Sequence, residues 1–283
     1  MSNQLIRRLL HSKFFVCGGV IVCIVVLMAI VSPYLVVHNP ELPNLQNRLR
    51  PPDFFSHGWS GYVLGTDAMG QDVLSRLLVG SRYSLIVAVS AVLVSALIGT
   101  AAGLIAGFYG GWVDNLIMRI GDIQLSIPAL LLAIAIVAVL GPNLFNLIIV
   151  LIITSWVQYA RVIRGSVLVI REQDFVAAAR LMGGSDAWIM VTQILPNVLT
   201  PLLIVGSQQV GFMILMEAAL SFLGLGVQPP TPSWGVMIAD GREYISNAPW
   251  VVLAPGIALM ITVLGFNFLG DGLRDVLDPK MKV

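Results

Sequence analysis

Charge is scarce in this sequence: only 11% of its 283 residues are Asp, Glu, Lys or Arg, against roughly 25% in a soluble domain. With 57% hydrophobic residues and a mean hydropathy of +0.89, the chain calls for lipid as its solvent. Cysteine is nearly absent. Cys17 and Cys23 lie in one apolar run, about 9 Å apart along a helix at 1.5 Å per residue, so they cannot bridge each other there. Both read as small buried hydrophobes, with no disulfide or metal framework. Of the three histidines, His11, His38 and His57, none lies in an apolar run or has a carboxylate or thiol at ligand or triad spacing. Catalytic, cofactor-binding and metal-ligating residues are therefore all expected to be none, and the chain is read as not an enzyme. A net charge of +1 argues against nucleic acid as a partner.

What the sequence has in quantity is long apolar runs. They predict an all-α polytopic membrane protein with about six spans, near 14–33, 83–107, 123–140, 144–163, 199–223 and 250–270. Arg7, Arg8 and Lys13 precede the first run as in a secretory signal, but the run is long enough to span and no small-residue cleavage site follows it. It is read as an uncleaved first span. Six spans put both termini on one side. Placing them in the cytoplasm gathers Arg7, Arg8, Lys13, Arg119, Arg161, Arg164, Arg171, Arg180, Arg274, Lys280 and Lys282 there. Only Arg48, Arg50, Arg76, Arg82 and Arg242 stay outside, so the positive-inside bias predicts an N-in, C-in topology. The expected organisation is a cytoplasmic N-terminus 1–13, a first span 14–33, an outer segment 34–82, a five-helix core 83–272 and a cytoplasmic C-terminus 273–283.

Within the core, the inner connection near 165–198 is too long for a plain turn. Residues 173–184 read as a short helix, with Asp174 as its cap and Gly183 as the left-handed residue that ends it. Ser185 or Asp186 then caps a second helix, 187–195, which Pro196 interrupts at the entry to the fifth span. Phe175, Leu181, Trp188 and Ile189 leave this pair with apolar surface that wants a partner protein or, alternatively, a membrane surface.

This stretch resembles the Glu-Ala-Ala-x-x-x-Gly loop of bacterial ABC importer permeases, with Ala177, Ala178 and Ala179 at the Glu-Ala-Ala place, Gly183 at the glycine, and Ile194, Leu195 and Pro196 as the closing element. In that family the loop docks on the ATPase. Ala177 departs from the pattern, so no carboxylate stands at that position. The outer segment 64–76 lacks the Gly-Lys-Ser/Thr ending of a phosphate loop and reads as a glycine-bounded turn. A helix capped by Asp72 follows, with an Asp72–Arg76 pair one turn apart. Its Gly65, Thr66, Asp67, Gly70, Asp72 and Arg76 are similar to a signature of dipeptide, oligopeptide and nickel permeases, with Gln71 at a usual arginine. Strings at 220–226, 229–235, 270–275 and 277–279 extend the likeness along the chain. The resemblance is closest to the second, dipeptide-type permease subunit.

It implies the type I ABC importer permease fold in the bacterial inner membrane. It further implies a second permease, two ABC ATPase subunits, a periplasmic or lipid-anchored solute-binding protein, a di- or oligopeptide cargo and surrounding membrane lipid. The cargo stays open among dipeptide, oligopeptide, glutathione and nickel chelate. The alternative within the family is a nickel or metal-chelate permease, and outside it a secondary transporter or channel. A secondary transporter keeps ionisable groups at membrane depth, and only Glu217 stands there, preceded by Gln208 and Gln209. Glu217 reads either as a packed, hydrogen-bonded residue or as a pathway residue that meets a peptide amino terminus. Gly99, Ala102, Gly103, Ala106 and Gly107 mark a close helix–helix contact in the second span. The outer segment and the Pro-rich loop 228–234 are expected to face the binding protein or shape an outer gate.

Overall fold

A computed structural model describes residues 2–55 and 61–277. His57, Lys280, Lys282 and the 278–279 end of the last matched string lie outside the described residues. The described chain is mainly helical: α1 (Ser2–His11), α2 (Lys13–Leu35), α3 (Val73–Tyr109), α4 (Gly111–Leu125), α5 (Ala129–Leu140), α6 (Leu144–Ile170), α7 (Asp174–Leu181), α8 (Asp186–Ile189), α9 (Leu195–Phe222), α10 (Trp234–Gly241) and α11 (Trp250–Leu277). Five stretches are long and apolar enough to cross a membrane, and α4 with α5 makes a sixth if the bent pair counts as one span.

The third span differs from the straight helix expected at 123–140. The chain bends by 87° between α4 and α5. Pro128 is the reason: it forces Ile127 out of helical geometry, lacks an N–H, and itself serves as the extended cap of α5. Most of α4 therefore lies outside the expected span and runs along the inner half of α6. There Asp114 accepts a two-pronged pair from Arg164, Asp122 pairs with Arg161 at 2.5 Å, and Gln124 Oε1 accepts from Trp156 Nε1 at 2.8 Å.

Helices associate in lipid where small residues let backbones touch, because the hydrophobic effect gives little help there. A Cβ added at Gly99 would sit 2.4 Å from the Trp156 carbonyl oxygen, and one at Gly103 would sit 2.6 Å from that of Ala160. Gly107 meets Val167 in the same way, so α3 crosses α6 along this glycine stripe as expected. On the other flank Gly18, Gly265 and Gly272 join α2 to α11. The inward stripe of α2 is Gly18, Val25, Ala29 and Ser32. Cys17 and Cys23 lie off that stripe and are exposed, a correction to their expected burial, because a peripheral span turns most of its surface to lipid.

Candidate functional site

At the outer end the signature residues form a buried staple. Asp67 Oδ1 accepts from the backbone N–H groups of Met69 and Gln71, each at 2.9 Å, while Oδ2 pairs with Arg76. Arg76 is only 6% exposed, and its Nη2 reaches Asp240 of α10 at 3.1 Å. The expected Asp72–Arg76 pair does not form. Asp72 Oδ2 caps the first turn of α3, accepting from Ser75 N at 3.0 Å and from Ser75 Oγ. Arg76 is left to bridge two more distant acids. Thr66 is fully buried, donates to the Asn47 carbonyl and accepts from Arg50 N at 2.7 Å, while its own carbonyl accepts from Trp250 Nε1 at 3.1 Å.

Gly70, at φ +74°, lies so close to Asn44 that an added Cβ would come within 1.8 Å of its carbonyl oxygen. Gly65, at φ +75°, lies against Arg50 and Trp250 in the same manner. The segment ties the outer loop to α3, α10 and α11, and all six signature residues are buried rather than turned outward. The Pro-rich loop is also anchored: Ser233 caps α10, and Trp234, 1% exposed, donates Nε1–H to the Leu77 carbonyl at 3.1 Å. Between staple, loop and α10 lies a cavity of about 790 Å³ whose wall carries Glu41, Gln71, Asp240, Arg242, Glu243 and Tyr244.

Just below the staple, Glu217 is fully buried. Ser84 Oγ of α3 donates to it at 3.0 Å and Ser221 Oγ of α9 at 2.8 Å. Its carboxylate is enclosed between α3 and α9, with hydroxyl donors that satisfy it in place of water.

At the inner end, Val176 and Ala179 of α7 and Ile189 of α8 pack with Phe108, Ile163, Val167, Ile194 and Val198, the inner ends of α3, α6 and α9. The Arg180 guanidinium lies 5.2 Å over the Phe108 ring. Asp174 is not the cap but the first residue of α7; Gln173 occupies the cap without a side-chain bond. Gly183, at φ +82°, ends α7 as expected, with Gly183 N bonded to the Arg180 carbonyl and Gly184 N to that of Ala179. Ser185 caps α8 through Trp188 N.

Pro196 does not interrupt the next helix. A π-helical turn at Met190–Ile194, with Leu195 N bonded to the Met190 carbonyl, carries the chain past the missing donor, so 186–222 runs as one rod. The alanines divide: Ala179 is buried, whereas Ala177 and Ala178 are exposed. Beside them Leu181 and Met182 are 90% and 79% exposed, an apolar tip on a firmly rooted hairpin. Ile194 is buried in the root and Leu195 is half-buried.

Sequence reasoning missed Asp240, Asp114 and the serines around Glu217. Asp240, Asp114 and Ser84 lie from 50 to 164 residues away from the groups they satisfy, beyond any local pattern, whereas Ser221 stands one helical turn after Glu217, a spacing the sequence displays. Among the described residues no cluster of three or more His, Cys, Asp or Glu is placed to hold a metal.

Comparison with known proteins gives a consistent picture. Residues 99–283 match the family model of the binding-protein-dependent transport system inner membrane component, and residues 3–52 that of the N-terminal TM domain of oligopeptide transport permease C. The chain is 44% identical to a dipeptide transport system permease protein of Alkalihalophilus pseudofirmus, over 99% of this chain and 90% of that one. It is 43% identical to a di/tripeptide transport system permease protein of Pseudomonas aeruginosa, over 96% and 90%. It is 41% identical to a glutathione transport system permease protein of Pectobacterium atrosepticum, over 98% and 90%. Its fold superimposes on a chain of the inward-facing methionine ABC transporter MetNI with a TM-score of 0.59 at 20% identity, covering 72% of this chain and 97% of that one.

Proposed function

Because the chain belongs to the binding-protein-dependent transport system inner membrane component family, as a multi-pass permease subunit with the type I ABC importer fold, we propose that it forms half of a peptide pathway driven by partner ATPases. A second permease of similar fold supplies the other half, two ABC ATPases hydrolyse ATP at the cytoplasmic end, and a solute-binding protein delivers di- or oligopeptides outside. The chain itself performs no chemistry. Its topology is N-in, C-in, which puts α7 and α8 on the ATPase side and the cavity beside α10 on the side of the binding protein.

One observation supports the coupling role most directly: the α7–α8 hairpin buries its base on the ends of α3, α6 and α9 while Leu181 and Met182 stand exposed. A knob rooted on three spans transmits a push from its tip into all three. Ala177, Ala178, Leu181 and Met182 then meet the ATPase. Gly183 sets the turn, Ala179, Ile194 and Leu195 build the root, and the exposed Pro196 follows it at the start of α9. With alanine at 177, this contact is apolar, without a carboxylate at that place. Peptides are the cargo because relatives 41–44% identical over 96–99% of this chain carry peptide or glutathione transport systems in their names.

The test reconstitutes this chain with its partner permease, ATPases and binding protein in liposomes and follows ATP-dependent uptake of labelled di- to pentapeptides against a nickel chelate. Peptide uptake that requires ATP is the expected result. Nickel uptake would replace the cargo, and ATP-independent uptake by this chain alone would overturn the reading.

A further inference from the structure

A second cavity, of about 420 Å³, opens where the α4–α5 bend leaves space beside α6 and α9. Gln158 stands near the middle of α6, and Gln208 and Gln209 near the middle of α9, so three carboxamides meet at the depth of the hydrocarbon. Thr154 and Ser155 add hydroxyls to the wall. Among the described residues no Asp, Glu, Lys or Arg lines it.

The hydroxyls are already used. Thr154 Oγ1 donates to the Val150 carbonyl at 3.0 Å, and Ser155 Oγ bonds to Ser95 Oγ at 2.8 Å. Gln208 Nε2 donates to Asp271 at 3.3 Å. Among the described residues Gln158 makes no side-chain hydrogen bond, and Gln209 Oε1 is buried without a partner. A buried amide oxygen without a partner is costly, and with the exposed Gln158 carboxamide lining the same cavity the wall can meet a ligand that both donates and accepts.

We propose that this cavity binds the backbone amide of the moving peptide, with Gln158 and Gln209 exchanging hydrogen bonds with its N–H and C=O. The inference rests on the peptide reading above and deepens it. A carboxamide is complementary to a peptide bond in both senses, and it is indifferent to the side chains on either side. A neutral wall also avoids trapping a charged terminus. The volume lies within the range of about 300–1,000 Å³ of small-molecule sites. The pathway therefore reads the one group that all peptides share and leaves selection among sequences to other components.

The experiment uses the complete reconstituted transporter and compares uptake of a tripeptide with uptake of its analogue methylated on an internal peptide nitrogen. Any discrimination by the binding protein is common to wild type and variant and cancels in the ratio of ratios. In Gln209→Leu, and separately in Gln158→Leu, preference for the unmethylated peptide is expected to fall about three- to tenfold, the scale of one neutral hydrogen bond. ATP hydrolysis stimulated by loaded binding protein should stay within about twofold, because the coupling hairpin is untouched. An unchanged preference in assemblies that still hydrolyse ATP overturns the inference.

If the leucine variants fail to assemble, Gln158→Cys in a background with Cys17→Ser and Cys23→Ser decides. Peptide turnover should slow thiol labelling at that position, and labelling unaffected by peptide overturns the inference. Wild-type transporter that imports neither tripeptide overturns the peptide reading itself, before any variant is compared.

Discussion

Arg76 shows how a single residue joins distant parts of the outer face. Its guanidinium lies between Asp67 of the loop and Asp240 of α10, with the Asp67 pair almost wholly buried. Removing one partner of a buried pair leaves the other charge uncompensated. Arg76→Ala should therefore destabilise the protein by about 3–5 kcal/mol, read as a lowered midpoint of thermal unfolding in detergent. Arg76→Lys should recover only part of the loss, since an ammonium lacks the planar fork that serves two acids. The string 65–76 marked these residues as special, but the Asp72–Arg76 pair inferred from helical spacing does not form. Asp72 Oδ2 caps α3 through Ser75, while the Arg76 guanidinium is drawn to Asp67 and Asp240, acids that the fold brings to it from outside its own helix turn. Glu217 was singled out because an acid in an apolar run is rare. Its place between Ser84 and Ser221 favours the packing reading; Ser221 follows it by one turn of the same helix, but Ser84 was not legible as its partner because helix pairing decides which residues of α3 and α9 face each other.

Among elements, the α3–α6 contact carries the core of the bundle, and its glycines make it possible. Gly103→Leu would drive a side chain into the Ala160 carbonyl and Ile163. The expected outcome is a loss of about 1–3 kcal/mol, measured as earlier unfolding of the detergent-solubilised chain, with Gly103→Ala showing a smaller loss of the same sign. This contact was readable in advance, because a glycine at every fourth position has one face in any helix. The prolines were harder. Pro128 and Pro196 both lie at helix entries, yet one marks an 87° bend while the other is absorbed by a π turn. Local sequence says only that a hydrogen bond is missing. What replaces it depends on the surroundings: packing of the hairpin root holds 186–222 straight, and charged pairs hold α4 along α6 on the far side of the other break.

On the scale of the whole molecule, a stapled outer end, a polar cavity at mid-depth and a rooted hairpin at the inner end lie along one bundle. Their order fits a passive subunit that is moved from its cytoplasmic end. The class of fold and the family were legible from apolar runs and a few unusual strings. The bend, the long-range ion pairs and the amide cavity were not, since they arise only when α4, α6 and α9 come together. The central claim is that force enters through the tip of α7. It is tested most directly by introducing Leu181→Asp, at a side chain 90% exposed and outside the buried root, and measuring ATP-driven peptide uptake in liposomes. Burying that carboxylate against an ATPase groove should cost more than ~1.4 kcal/mol, and so reduce uptake about tenfold or more, while the chain keeps its unfolding midpoint and the assembly still captures loaded binding protein. Undiminished ATP-driven uptake by the variant would contradict the account.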